Sequence, residues 1–128
     1  MDYLELMEKI SEYDIGICLW LPIKKYHRNL PLKNFDYMSV GLPIITSNFK
    51  NIEKYIIESD AGICIDPLNY EEFKGAIITM FDPNIRRKYR RNGLEWVEKY
   101  GSFRDEAKSY INVILDLLQG PHIPYKIN

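Results

Sequence analysis

Residues 29–47, NLPLKNFDYMSVGLPIITS, hold the side chains best spaced for chemistry. Lys33 and Asp36 fall in a short predicted helix of about ten residues, set between a loop and a buried strand. Pro31 suits the first helical turn, where its missing N–H costs nothing. The backbone N–H groups around Leu30 to Lys33 begin that helix without intrahelical partners. Together with the helix dipole they form an anion site suited to a diphosphate. Lys33 can add a positive charge there; alternatively its stem covers Phe35 or Tyr37 while the ammonium stays in water. Asp36, about one turn further in, can accept hydrogen bonds from two vicinal hydroxyls at once. The plainer reading of Asp36 is a solvated carboxylate on a surface helix.

The flanking residues must hold these groups in place. Phe35, Met38 and Ser39 recur at helical spacing and give the helix an inward face. Gly41 suits a left-handed cap, and Pro43 prevents the helix from continuing. Ile44-Ile45-Thr46 is apolar and β-branched, as in a strand buried on both faces. Ser47 and Asn48 end that strand beside the presumed site, where they could touch a base or ribose, or cap the next helix. Upstream, PIKKYHRNL reads as an irregular loop made basic by Lys24, Lys25, His27 and Arg28. These cations either meet phosphate or an acidic acceptor, or form a solvated loop. No carboxylate or second ligand stands at useful spacing from His27, so a metal or general-base role gains little support.

This stretch resembles the signature of retaining GT-B glycosyltransferases, family 4 in the usual carbohydrate-enzyme classification: P-x-K-x-F-E-Y-M-(small)-x-G-x-P-(V/I)-(I/V)-x-S. The resemblance runs through Pro31, Lys33, Phe35, Asp36, Tyr37, Met38, Ser39, Gly41, Pro43, Ile44, Ile45 and Ser47, and extends more weakly from about Asp2 to Leu118. So many positions in register carry more weight than a lone glycine motif. It implies a donor-binding set of Arg28, Asn29, Leu30, Leu32, Lys33, Asp36, Tyr37 and Ser47. In that set Asp36 would accept from the ribose hydroxyls of a nucleotide sugar, at a position where the family usually has glutamate. Many relatives carry a second acid eight residues earlier, associated with the donor sugar and its reacting carbon. Arg28 occupies that position here, so no residue is assigned a catalytic role. Neither a metal nor a cofactor is expected, the nucleotide-diphosphate sugar being a substrate.

The remaining chain alternates helix and strand. Tyr3 to Ser11 reads as a helix capped by Asp2, with Leu4, Met7 and Ile10 on one face. DIGICLWL, residues 14–21, reads as a central parallel strand. Asn51 to Ser59 is a helix, and Ala61 to Asp66 a third strand that Gly62 lets begin. Asn69 caps a helix from Tyr70 to Phe81 with Phe73, Ile77 and Ile78 (or Met80) inward. Asp82-Pro83 restarts a helix to about Tyr100, and Ser102 caps a last one, Phe103 to Leu118. The predicted fold is therefore α/β: a partial doubly wound, Rossmann-like parallel sheet of about three strands with flanking helices. By resemblance it is of GT-B C-terminal type. Residues 1–119 form this half-domain and 120–128 a loose tail.

Composition narrows the partners. The 128 residues suffice for one core, and a net charge of −1 gives no reason to expect a nucleic-acid partner. Cys18 and Cys64 both lie in apolar runs, which points to reduced thiols and a cytoplasmic setting. No apolar run is long enough to span a membrane. Arg86 to Arg91 could contact anionic lipid at the inner membrane face, where relatives often work, although Glu95 and Glu98 favour a solvated helix face.

A full doubly wound domain has about six strands, so the first strands and the acceptor lobe of a GT-B enzyme have no counterpart here. The edge of the 14–21 strand is then expected to pair with a missing N-terminal lobe, a second copy or another chain, or to be covered locally. Two functions follow. One is the nucleotide-sugar-binding part of a glycosyltransferase acting on a glycan or lipid-linked acceptor in polysaccharide biosynthesis, inactive alone. The other is a non-catalytic module that completes a partner's sheet or self-associates. A receiver-like domain is a weaker third, because Asp14 alone does not supply the cluster of acids it needs.

Overall fold

The computed structural model describes residues 2–23 and 32–100. The order is α1 (Tyr3–Ile10), β1 (Gly16–Cys18), α2 (Leu32–Ser39), β2 (Ile44–Ser47), α3 (Lys50–Ser59), β3 (Gly62–Ile65), α4 (Tyr70–Thr79) and α5 (Pro83–Tyr100). Among the described residues the strands form one parallel sheet in the order β1-β2-β3, with Gly16 opposite Ile44 and Ile44 opposite Gly62. The expected α/β fold, a partial Rossmann-like parallel sheet with flanking helices, is thus present. The predicted helix Phe103–Leu118, the tail 120–128 and the loop positions Lys24 to Pro31 lie outside the described residues.

Alternation along β2 divides the core between the two faces of the sheet. Ile44 packs with Phe35 and Met38 of α2, with Ile52, Tyr55 and Ile56 of α3, and with Trp96 of α5. Ile45 packs on the opposite face with Ile65 and with Ala76 and Met80 of α4, flanked by Phe73, Ile77 and Tyr89. All four residues of β2 are buried, which explains its near-continuous apolar composition. Phe35 stacks on Tyr55 at 4.8 Å and on Trp96 at 5.7 Å between ring centroids, so Trp96 is a packing residue.

Local signals place most of the ends. Asp2 Oδ1 accepts from the Glu5 N–H, Asn69 Oδ1 from Glu72 and Asp82 Oδ1 from Asn84. Gly41 has φ +76°, the left-handed conformation that stops α2. Asp60 takes the same region at φ 50° and ends α3. It is held there by Asn92, whose amide donates to its carbonyl, and by Lys88, whose ammonium pairs with its carboxylate.

Four expectations are corrected. β1 spans three residues rather than 14–21; among the described residues it stands at the sheet edge, with the open side that the sequence analysis expects. It stops because β2 ends at Ser47, whose hydroxyl then takes over from the ladder. The Trp20 N–H donates to Ser47 Oγ at 2.7 Å, and that hydroxyl donates to the Trp20 carbonyl at 3.0 Å. Leu4 is exposed, and Met7 is the residue α1 buries. Ile78 is exposed, and its alternative Met80, just past the end of α4, is buried instead, together with Ala76 and against Phe73 and Ile77. Finally, Phe49, not Ser47 or Asn48, precedes the first turn of α3.

Gly62 has a sharper reason than easing the start of β3. A Cβ at this position would lie 2.2 Å from the Ile44 carbonyl oxygen and 2.8 Å from its carbon, so β2 and β3 would have to part. Gly62→Ala is expected to cost about 1–3 kcal/mol, the usual range for overpacking a core. Urea denaturation checks this, and a loss within about 0.5 kcal/mol, the ordinary scatter of surface substitutions, would contradict it.

Candidate functional site

Because α2 lies between β1 and β2 in a parallel sheet, its N-terminus opens at the carboxyl end of the strands. Open α/β sheets bind ligands at that end. Leu32 is the first helical residue, half-buried against the core, and Lys33 is exposed beside it. Arg28, Asn29 and Leu30 of the expected donor set lie outside the described residues.

Asn34 fixes the orientation of α2. It is fully buried, and its amide donates to Thr46 Oγ1 at 3.0 Å and to the Tyr55 hydroxyl at 2.9 Å. Thr46 Oγ1 in turn donates to the Cys18 carbonyl at 2.9 Å. One side chain of α2 is thereby tied to β2, β1 and α3. Asn34 Oδ1 is buried without a hydrogen-bond partner, so two bonds from the amide group offset one uncompensated acceptor. With Asn34, Phe35 and Met38 turned inward, Lys33 and Asp36 are left toward the outside.

Asp36 is half-buried, and the Tyr3 hydroxyl donates to its Oδ1 at 3.1 Å. Ser39 closes the turn below by donating to the Asp36 carbonyl at 2.7 Å. Tyr37 lies along β1. Its hydroxyl reaches the Ile17 carbonyl at 3.4 Å, and its ring covers Gly16, where a Cβ would stand 2.5 Å from Cδ2. Burial raises the Tyr37 phenol above its ordinary range, with further contributions from Cys18 and Asp36. Ser47 is fully buried with its hydroxyl engaged by Trp20, so it holds the chain after β1.

The cysteines belong to the same frame. Cys18 is buried, and desolvation raises its thiol, partly offset by the charge of Lys33. Burial pushes the Cys64 thiol up to about 12. Both are free thiols in a setting that disfavours the thiolate.

A cleft of about 430 Å³ opens where the strands end, lined by Pro22 after β1, Asn48 and Phe49 after β2, Lys50 in α3, and Asp66 and Pro67 after β3. Asp36 is not among the residues lining it. Lys50 places a positive charge at the start of α3. Asp66 is held by its own turn, accepting from the Leu68 N–H. In the sequence Lys50 stands three residues beyond β2 and Asp66 directly follows β3, and the fold brings these two positions together. Sequence spacing gives no signal for Tyr3 or Asn34. Among the described residues no group of three His, Cys, Asp or Glu converges as a metal site needs, and no helix is long and apolar enough to cross a membrane.

A three-stranded parallel sheet of this order, with helix N-termini and a cleft at the carboxyl ends of its strands, is the architecture of a partial Rossmann-like domain. The family model for glycosyl transferases group 1 matches residues 4–96. The chain belongs to that glycosyltransferase family. No curated protein and no solved structure matches it.

Proposed function

We propose that this chain is the donor-binding half-domain of a retaining, family-4-like glycosyltransferase. It takes a nucleotide-diphosphate sugar and serves transfer to a glycan or lipid-linked acceptor in polysaccharide biosynthesis, on the cytoplasmic side of the membrane. The observation that carries this reading is the placement of α2: its N-terminus opens at the strands' carboxyl end, with Lys33 and Asp36 on the side the core leaves outward. In the proposed complex the first N–H groups of α2 and Lys33 hold the diphosphate. Asp36 accepts from the ribose hydroxyls, sharing its carboxylate with Tyr3. Arg28, Asn29, Leu30, Leu32 and Tyr37 complete the contact surface, and no cofactor or metal takes part. Ser47 supports it from below by fixing the chain beyond β1. Transfer further requires an acceptor-binding lobe, because donor and acceptor must be aligned closely for reaction.

Calorimetric titration with UDP, GDP and their sugars tests the proposal. Saturable binding of one nucleotide is expected, weakened about tenfold or more by Asp36→Ala, the loss of about 1.4 kcal/mol that one charged hydrogen bond supplies. Affinity unchanged by Asp36→Ala would overturn the ribose assignment, and absence of binding to any nucleotide would overturn the donor reading.

One observation favours the second reading, a module that self-associates. Ile17, Leu19, Leu21 and Ile23 are all exposed along the edge strand and the segment after it. Gly16 donates to the Pro43 carbonyl, so the backbone groups of the alternate residue Ile17 turn away from β2. Tyr37 covers the Ile17 carbonyl only at 3.4 Å. Under this reading light scattering finds a dimer whose mass falls to monomer in Ile17→Lys. A monomer at every concentration would rule it out.

A further inference from the structure

The opposite end of the sheet carries a charge arrangement that the donor site does not use. α5 presents Arg86, Arg87 and Arg90 on one helical face. All three line a cleft of about 280 Å³ closed on its other side by Asp14 before β1 and by Gly41 and Pro43 between α2 and β2. This cleft lies at the amino-terminal ends of β1 and β2. It is therefore separated from the proposed donor edge by the length of the strands.

Arg86 and Arg87 are held by hydrogen bonds, and among the described residues none of the three guanidinium groups forms an ion pair with a carboxylate. Arg86 Nη1 donates to the Met80 and Phe81 carbonyls at 2.7 and 3.0 Å, which fixes it against the end of α4. Arg87 donates to the Asn84 side chain in its own helix. Arg90 lies on Gly41, where a Cβ would stand 2.8 Å from its Cγ and 3.3 Å from both Cζ and Nη1. A side chain at position 41 would therefore push Arg90 out of the cleft. Among the described residues the ion pair of α5 is Lys88 with Asp60, and no acid pairs with Arg86, Arg87 or Arg90. Asp14 offsets one of the three charges and leaves the cleft cationic. Like charges gathered on one concave surface raise the local potential and attract an anion. Arginine forks match the oxygens of a phosphate in two-point contact.

We propose that this cleft binds a phosphate monoester, with Arg87 and Arg90 as its main contacts and Arg86 as a fixed third charge. The shared chemistry admits a small phosphorylated molecule or the headgroup of an anionic lipid. The proposal does not depend on the donor reading, since its residues lie at the other end of the strands.

The test titrates phenyl phosphate into ¹⁵N-labelled protein while following the Gly41 amide and the arginine Nε–H signals. In parallel, binding is measured to vesicles of phosphatidylcholine with and without phosphatidic acid. Saturable shifts at Gly41 and Arg90 are expected, weakened at least tenfold in Arg87→Gln/Arg90→Gln and unchanged in Arg91→Gln, a neighbouring cation that does not line the cleft. Arg86 is left intact because it closes α4, and an unchanged melting temperature confirms that the variants are folded. Binding to phenyl phosphate with this variant pattern assigns a soluble ester; binding confined to phosphatidic acid vesicles with the same pattern assigns a lipid headgroup. Failure of both probes to saturate, or equal weakening by Arg91→Gln, would overturn the site.

Discussion

A single buried amide sets the geometry of this half-domain. Asn34 reaches from α2 to Thr46 on β2 and to Tyr55 on α3, and Thr46 passes the connection to the Cys18 carbonyl on β1. Apolar packing alone would let an eight-residue helix rotate or slide, because Phe35 and Met38 contact smooth side chains. Hydrogen bonds with fixed directions remove that freedom. The cost is an orphaned Asn34 Oδ1, a penalty on the order of 1–3 kcal/mol for a buried acceptor. It is tolerated because the relay gives α2 one register over the sheet.

That register distributes the neighbouring side chains. Phe35 stacks into the Tyr55–Trp96 cluster, Tyr37 lies over Gly16 at the sheet edge, and Lys33 and Asp36 remain outside. The same helix connects the two ends of the molecule. Its N-terminus opens where the strands finish, and its C-terminal turn through Gly41 forms one wall of the arginine cleft. Membership of the glycosyl transferase group 1 family, matched over residues 4–96, agrees with a helix so placed.

Much of the fold was legible because its signals are local. Asp2, Asn69 and Asp82 announce helix starts, Gly41 announces a stop, and the run Ile44-Ile45-Thr46 announces a strand buried on both faces. Interactions between distant residues left no trace of that kind. Nothing in the spacing around Asn34 reveals Thr46 and Tyr55 as its partners. The Tyr3 bond to Asp36 joins residues 33 positions apart. β1 is shorter than its apolar run for a related reason. DIGICLWL is apolar throughout, but a strand lasts only as long as its neighbour, and Ser47 ends the ladder with its side chain. Of the candidate site, the family positions on α2 were readable from register, whereas the cleft at Asn48, Lys50 and Asp66 appears only when three strand ends are brought together.

The most direct test of this account is a double-mutant cycle on the relay. Unfolding free energies are measured by urea denaturation for the parent, Asn34→Ala, Thr46→Val and the double variant. If Asn34 and Thr46 act as one connection between α2 and the sheet, the double variant loses less than the two single losses combined, with a coupling of about 1 kcal/mol or more. Losses that add to within about 0.3 kcal/mol, as independent sites do, would contradict the central role given to this amide.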